Sequence, residues 1–186
     1  MNKKKFTTKN IVLIAIFSVL IIICSWISIP STIPFTLQTF AIFLTIYLLG
    51  SRDALISIIV YLLLGIIGLP VFSGFKGGIA VLLGPTGGYL IGFIFTALFM
   101  WLWEVVFNNK LISKIIASII GLAICYIIGS LWFYFVYMNN GNEISFISVL
   151  SMCVAPFVAI DIIKIALALL LENRLTKIIF RKEKQA

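Results

Sequence analysis

Long apolar runs alternate with short polar or charged segments along most of the chain. A membrane-spanning helix needs about 20 mainly apolar residues, because each residue rises about 1.5 Å and the hydrocarbon offers no water to the backbone. By this criterion the pattern predicts six spans, which cover residues 11–29, 34–50, 54–69, 86–107, 111–137 and 147–171. The second and third are short and could tilt less or borrow flanking residues. We therefore expect a single membrane domain over residues 1–186, an all-α integral membrane protein built as a compact bundle of six transmembrane helices.

The basic residues lie at alternate ends of these spans. A formal net charge of +8 could suggest a nucleic-acid partner, but 62% of the residues are hydrophobic and the charges are confined to the span ends. Loops rich in lysine and arginine stay in the cytoplasm. We expect both termini there, in a multi-pass protein of the cell membrane, with the lipid bilayer around it and no nucleic-acid partner. The opposite side carries only Lys76, whereas the cytoplasmic side carries Lys3, Lys4, Lys5, Lys9, Arg52, Lys110, Lys114, Arg174, Lys177, Arg181, Lys182 and Lys184.

The residues that are missing exclude several kinds of chemistry. There is no histidine and no glycine-rich phosphate loop, so most zinc or iron sites and ATP hydrolysis by this chain are not expected. Cys24, Cys125 and Cys153 lie within apolar spans, which favours packing over disulfide formation. The first apolar run has no small-x-small cleavage site and is predicted to remain as a helix. We expect no metal ion, no cofactor and no catalytic residue.

Two ionisable residues, Asp161 and Lys164, lie deep in the sixth span. Each charge near the bilayer centre costs about 2.5–3.5 kcal/mol on insertion scales, so such residues usually have a partner or a function. A spacing of three places them on one helix face. They could form an ion pair that only fixes helix register, serve an intramembrane enzyme as acid and base, or present an acceptor and a donor to a polar ligand. Pro156 either bends the helix beside them or is an incidental kink.

A glycine-rich segment, residues 68–92, separates the third and fourth spans and holds eight of the 13 glycines. Such density suits an irregular, re-entrant or lid-like loop on the outer side. Within it, Lys76 could attract a ligand carboxylate or remain an ordinary solvated lysine. Gly88 and Gly92 have the spacing of a close helix contact. Tyr89 could contact ligand or anchor the membrane interface.

Polar residues also mark the start of the second span, on the outer side. Thr36 and Gln38 could cap that helix or point into the bundle. Several aromatic side chains could line an apolar pocket, although most of the aromatic residues must pack or face lipid; the candidates are Phe40, Phe72, Tyr126 and Trp132.

Together these regions resemble the BioY family, the biotin-specific substrate-binding subunits (S components) of energy-coupling factor transporters. The matching segments are residues 33–40, 68–74, 77–93 and 156–164. The resemblance implies a six-helix bundle that binds the vitamin near the outer face, beneath the loops that join the first two helices and the third and fourth. It also implies that Asp161 and Lys164 match ligand-contacting positions of the family.

The function that this resemblance implies is high-affinity binding of biotin and its delivery into the cell, without catalysis by this chain. The implied partners are a transmembrane coupling subunit and two ATPase subunits. Asp161 would accept from the ureido N–H groups and Lys164 would donate to the ureido carbonyl, while Lys76 would meet the carboxylate; the two lysines could exchange roles. The other substrate-binding candidates are Thr36, Gln38, Tyr89, Gly77 and Gly78, and an S component for another vitamin remains the alternative.

The chain departs from the family pattern on the first helix. An Ala-x-x-x-Ala motif there commonly docks against the coupling subunit, and the nearest match, residues 15–19, has valine at the second small position. Ser18 could supply another small surface there.

Overall fold

A computed structural model describes residues 7–107, 110–141 and 143–179. Lys3, Lys4, Lys5, Arg181, Lys182 and Lys184 lie outside the described residues. The helices are α1 (Thr8–Trp26), α2 (Gln38–Leu49), α3 (Ser51–Ile66), α4 (Ile79–Leu83), α5 (Gly87–Val106), α6 (Leu111–Asn139), α7 (Phe146–Cys153) and α8 (Ala155–Ile179). Two short strands, β1 (Ser28–Ile29) and β2 (Phe35–Thr36), separate α1 from α2.

Apolar helices dominate the described residues and confirm the all-α membrane fold. Four stretches there are long and apolar enough to cross a membrane: Thr8–Trp26, Gly87–Val106, Leu111–Asn139 and Phe146–Lys177. The shorter α2 buries ten of its twelve residues and packs against α1, α3 and α8. It is therefore the central helix of the bundle, which explains why it is apolar on every face.

The second span begins later than the apolar run predicts. β1 and β2 form an antiparallel hairpin in which Ser28 pairs with Thr36, and α2 starts only at Gln38. Pro30 and Pro34 lie in this connection, where their missing N–H groups and fixed φ oppose a continuous helix. The prediction of helix at residues 34–37 is therefore wrong. The first span likewise ends at Trp26 rather than at residue 29.

The sixth span lies within the apolar stretch Phe146–Lys177, but it is not one continuous helix, since the chain breaks at Val154 into α7 and α8. Val154 has φ −124° and ψ −55° and accepts hydrogen bonds from the N–H groups of Phe157 and Val158. Pro156 lies in the first turn of α8, where a missing N–H is tolerated. It therefore helps to start a helix after the break instead of bending one beside Asp161.

The glycine-rich segment is irregular from residue 68 to residue 86, as predicted, apart from a short 3₁₀ turn at Ser73–Phe75 and the five-residue α4, and its last residues begin α5. Gly68 and Gly78 have positive φ angles of 101° and 91°, which favour glycine. At Gly77, a Cβ atom would lie 2.3 Å from the Leu69 carbonyl oxygen. The loop thus depends on glycine both for its turns and for close backbone approach.

Side chains of α1 hold the first half of this loop in place. The Ser25 hydroxyl donates to the Val71 carbonyl, and the Trp26 indole N–H donates to the Pro70 carbonyl at 2.8 Å. The buried Phe72 ring lies over Gly65, where a Cβ atom would be 1.9 Å from the ring. These contacts hold the loop against the bundle.

Small residues allow α5 and α6 to pack closely, which confirms the predicted role of Gly88 and Gly92. A Cβ atom on Gly88 would lie 2.2 Å from the Trp132 Cβ atom, and one on Gly92 would lie 3.0 Å from the Cys125 sulfur. From α6, Gly129 offers the same clearance to the Tyr89 ring. These glycines thus allow the backbones of α5 and α6 to approach closely.

Ser18 does not supply the small outward surface on α1 that the sequence suggests. That side chain is buried and donates to the carbonyl oxygens of Ile14 and Ser57, at 2.8 and 3.0 Å. It therefore joins α1 to α3 and supplies no outward surface. Ala15 and Val19 are exposed.

Polar contacts collect at one end of the bundle, here named the charged end, which comprises the starts of α1, α3 and α6 and the ends of α5 and α8. Asn10 donates to Asp53 at 2.9 Å, and the Ser51 N–H donates to Glu104 at 3.2 Å. Lys114 pairs with Glu172 at 2.5 Å. The described basic residues of this end are Lys9, Arg52, Lys110, Lys114, Arg174 and Lys177. Lys76 lies in the loop that follows α3, at the other end of that helix.

Candidate functional site

A cavity of about 660 Å³ lies beneath the hairpin and the glycine-rich loop, between α2, α5, α6 and α8. Its volume falls within the range of roughly 300–1,000 Å³ that is typical of small-molecule sites. Of the eight residues that the sequence nominates for ligand binding, six line it; these are Thr36, Gln38, Lys76, Tyr89, Asp161 and Lys164. The fold thus brings together residues from distant parts of the chain.

Asp161 and Lys164 form an ion pair at the wall of this cavity. The Lys164 ammonium nitrogen lies 2.8 Å from Asp161 Oδ1, and the two residues are only 7% and 4% exposed. The ammonium also donates to the Thr36 backbone carbonyl at 2.7 Å. Because an ammonium has three N–H donors, one of them remains for another acceptor.

Tyr126 is the polar partner that the sequence does not reveal. From α6, its hydroxyl donates to Asp161 Oδ2 at 2.6 Å, the length of a hydrogen bond to an ionised carboxylate. The sequence suggests Tyr126 only as an aromatic lining residue. Its 35-position separation from Asp161 and the difference in helix leave no linear signal of the contact.

The sequence leaves open whether Thr36 and Gln38 cap α2 or point into the bundle, and the structure divides these two roles between them. The Thr36 hydroxyl accepts the Gln38 backbone N–H at 3.2 Å, next to the start of α2. The Gln38 side chain is buried and donates to the Tyr61 hydroxyl at 2.7 Å. Thr36 therefore serves the helix end, and Gln38 points into the bundle beside the cavity.

Lys76 and Tyr89 border the cavity from the loop side and from α5. Lys76 is exposed, and its backbone carbonyl accepts from the Phe72 N–H at 2.9 Å. The Tyr89 hydroxyl lies 3.3 Å from the Ser130 hydroxyl and donates to the Cys153 carbonyl at 3.4 Å. Tyr89 thereby contacts the C-terminal residue of α7, next to the break before α8.

Other candidates lie outside the cavity lining. Gly77 and Gly78 shape the loop backbone without lining the cavity, and of the four aromatic candidates only Phe72 and Tyr126 line it. Trp132 instead donates its indole N–H to the Gly84 carbonyl at 2.9 Å. The free thiols Cys125 and Cys153 also line the cavity.

One aromatic contact that the sequence does not indicate joins the hairpin to α8. The rings of Phe35 and Phe157 stack with centroids 4.0 Å apart and planes 12° from parallel. Phe157 lines the cavity. With the bond from Lys164 to Thr36, this stack fixes the hairpin over one side of the site.

The charge of the site favours an anionic ligand. Among the described lining residues, the charged side chains are Lys76, Asp161 and Lys164, two cations and one anion, which leaves a net charge of +1. Since Asp161 and Lys164 neutralise each other, the uncompensated charge lies at Lys76. A solute with a polar head and an anionic tail would match this distribution.

The chain is similar to transport proteins over most of its length. It is 40% identical to a biotin transporter BioY of Thermotoga maritima over 172 residues, which cover 91% of this chain and 97% of the relative. It is 35% identical to a probable biotin transporter BioY of Pyrococcus horikoshii, covering 90% and 96% of the two chains.

The fold has an equally extensive counterpart among solved structures. The crystal structure of the S-component for biotin from an ECF-type ABC transporter superposes with a TM-score of 0.78, at 29% identity, over 95% of this chain and 94% of that one. The model of the BioY family matches residues 1–181. Sequence, fold and the family match agree: the chain belongs to the BioY family, and it is a multi-pass membrane protein of that transport family.

Proposed function

We propose that this chain binds biotin in the cavity and delivers it into the cell as the S component of an ECF-type transporter. The observation that carries the proposal is the ion pair of Asp161 and Lys164 on the wall of a 660 Å³ cavity. An ion pair that served only to fix helix register would not need to line such a cavity. The names of the relatives supply the identity of the solute.

The hydrogen-bonding capacity of the pair complements the ureido ring of biotin. That ring offers two N–H donors and one carbonyl acceptor. Lys164 retains one N–H after its bonds to Asp161 and Thr36, and this donor suits the ureido carbonyl. Asp161 accepts one bond at each oxygen and keeps further lone pairs for a ligand N–H.

The rest of the lining suits the remaining parts of biotin. Leu90, Phe93 and Phe157 offer apolar surface to the thiophane ring and the alkyl chain. Lys76, the exposed cation of the lining, would receive the carboxylate. Gln38, Thr36 and Tyr89 complete the polar wall, and Gly77 and Gly78 would act through the loop conformation.

We also propose that the chain forms one membrane domain with six crossings, α7 and α8 together forming the last. The start of α1 and the end of α8 would then face the cytoplasm. Support comes from the charged end, where the contacts of Asp53, Glu104 and Lys114 join helix ends that carry most of the described basic residues. The cavity and Lys76 would face the outside.

The partners would be a transmembrane coupling subunit and two ATPase subunits. The exposed apolar face of α1, which includes Ala15 and Val19, is the candidate surface for the coupling subunit. Valine in place of a second alanine would leave a less close contact there.

Calorimetric titration of the purified protein with biotin tests the binding proposal. Asp161→Asn should bind about 100-fold more weakly than the parent, because the ligand N–H loses its charged acceptor and a hydrogen bond to a charged group is worth about 1.5–3 kcal/mol. Asp53→Asn is the matched control, since Asp53 lies at the charged end and contacts Asn10. It should bind as the parent does.

Two results would contradict the proposal: no heat with biotin in the parent protein, or equal affinity in the parent and in Asp161→Asn. Mass spectrometry of the ligand that co-purifies would show whether another vitamin occupies the cavity.

A further inference from the structure

Tyr61 lies behind the cavity wall and contacts it at two places. Its side chain on α3 is fully buried, and it is not among the described residues that line the cavity. It touches two residues that do line the cavity: Gln38, at the start of α2, and Phe72, in the glycine-rich loop. A change at Tyr61 can therefore affect a bound ligand only through these neighbours.

Two hydrogen bonds fix the side-chain amide of Gln38. Its Oε1 atom accepts from the Thr36 hydroxyl at 3.1 Å, and its Nε2 atom donates to the Tyr61 hydroxyl oxygen at 2.7 Å. The last torsion of a glutamine side chain has broad energy wells, so the side chain alone does not set the plane of the amide. Thr36 and Tyr61 set that plane from its two ends. The amide nitrogen carries two N–H groups, and the second remains for an acceptor in the cavity.

The ring of Tyr61 is held in place by the glycine-rich loop. It packs edge-on against the Phe72 ring, with centroids 5.5 Å apart and planes at 90°. The Phe72 backbone N–H donates to the Lys76 carbonyl at 2.9 Å, which closes the turn before Lys76. The loop that carries the exposed cation of the cavity therefore also limits where the Tyr61 hydroxyl can lie.

We propose that Tyr61 is a positioning residue, which orients the Gln38 amide so that one of its N–H groups points at a hydrogen-bond acceptor of the ligand. The inference rests on the proposed function, in which the ligand is biotin and the acceptors are its ureido carbonyl and its carboxylate. Without the Tyr61 hydroxyl, the buried amide nitrogen would lose its acceptor, and the amide would turn about its broad last torsion. The affinity for biotin would fall although no group that touches the ligand had been removed.

Calorimetric titration of four proteins with biotin tests this proposal: the parent, Tyr61→Phe, Gln38→Met and the double variant. Tyr61→Phe keeps the ring against Phe72 and removes only the hydroxyl. It should bind biotin about tenfold more weakly than the parent, which corresponds to one net hydrogen bond. Gln38→Met should lose at least about tenfold, because the amide itself is gone. The double variant should bind as Gln38→Met does, since the tyrosine acts through that amide.

The comparison of the double variant with Gln38→Met separates positioning from a general effect on the bundle. If the loss of the hydroxyl only loosened the packing, it would act independently of Gln38, and the two losses would multiply to about 100-fold. This comparison does not require the single variant Tyr61→Phe to be stable. In the double variant apolar groups replace both hydrogen-bonding partners, which is often nearly neutral for stability.

Tyr47→Phe is the matched control. It removes another buried tyrosine hydroxyl, one that is hydrogen-bonded to Ser118 outside the cavity lining, and it should bind biotin as the parent does.

Three results would overturn the inference alone, in a parent protein that still binds biotin. They are unchanged affinity in Tyr61→Phe, an equal loss in Tyr47→Phe, and a double variant that is weaker than Gln38→Met by a further factor of about ten. Absence of biotin binding by the parent would overturn the proposed function and this inference together.

Discussion

Two groups donate hydrogen bonds to the buried carboxylate of Asp161, and a third group contacts its lysine partner. Lys164 supplies the opposite charge at 2.8 Å, and Tyr126 donates a hydrogen bond at 2.6 Å. The Thr36 carbonyl in turn accepts from Lys164. Breaking a buried pair by removing one partner costs about 3–5 kcal/mol, whereas removing both charges is often nearly neutral.

This difference gives a test that separates stability from ligand binding. Lys164→Met should lower the free energy of unfolding by about 3–5 kcal/mol, because it leaves Asp161 buried without a cation. The double variant Asp161→Asn, Lys164→Met should recover most of that loss but should not recover biotin binding. Thermal unfolding in detergent and calorimetry report the two quantities. Equal destabilisation in the single and double variants would contradict the account of the pair.

The sequence predicts this pair but not its surroundings. A spacing of three along an apolar helix suffices to place Asp161 beside Lys164, because helix geometry is local. The Tyr126 hydroxyl and the Thr36 carbonyl arrive from other elements, and only tertiary packing determines that they meet the pair. A backbone carbonyl is present at every residue, so its use at Thr36 leaves no trace in the residue type.

The contact between α5 and α6 sets the position of Tyr89 and of the wall near the helix break. Gly88 and Gly92 on α5 meet Trp132 and Cys125 on α6 without room for a Cβ atom at normal distance. Protein interiors are close-packed, so an added methyl group here must separate the helices or distort a side chain.

Gly88→Ala should therefore destabilise the bundle by about 1–3 kcal/mol, since its Cβ would lie 2.2 Å from the Trp132 Cβ. The conformational preference of alanine for helix offsets only about 1 kcal/mol of this. Leu102→Ala, on the same helix at a position 58% exposed, is the control and should change stability little. Melting temperatures of both variants in detergent provide the comparison. A Gly88→Ala protein at least as stable as the parent would show that the helices separate without cost.

Hydropathy predicts the long helices well and their interruptions poorly. The break at Val154 lies between apolar residues, so the run from 147 to 171 reads as continuous even though the backbone turns within it. Hydropathy misses the hairpin before α2 for the same reason, because Ile33 and Phe35 are as apolar as helix residues. Only the prolines signal that the helix is interrupted there. Composition shows that a segment is buried in apolar surroundings, but it does not determine the backbone path.

The molecule is polarised between its two ends. The charged end holds the Lys114–Glu172 pair and most of the described basic residues, while the opposite end holds the hairpin, the glycine-rich loop and the cavity. α3 connects them directly, since Arg52 lies at its start and Lys76 lies in the loop that follows its end. Cationic loops remain on the cytoplasmic side of a membrane, so this polarity predicts an orientation for the whole bundle.

The orientation predicts which sites a membrane-impermeant maleimide can reach in intact cells. The variant Lys76→Cys should be labelled from outside, whereas Lys177→Cys should be labelled only after the cells are permeabilised. Both positions are exposed, but they lie at opposite ends of the bundle. The parent protein is the control: Cys24, Cys125 and Cys153 are 5%, 4% and 1% exposed and should stay unlabelled. External labelling of Lys177→Cys but not of Lys76→Cys would show that the orientation is the reverse of the predicted one. External labelling at both positions would contradict an arrangement in which α8 returns the chain to the cytoplasm.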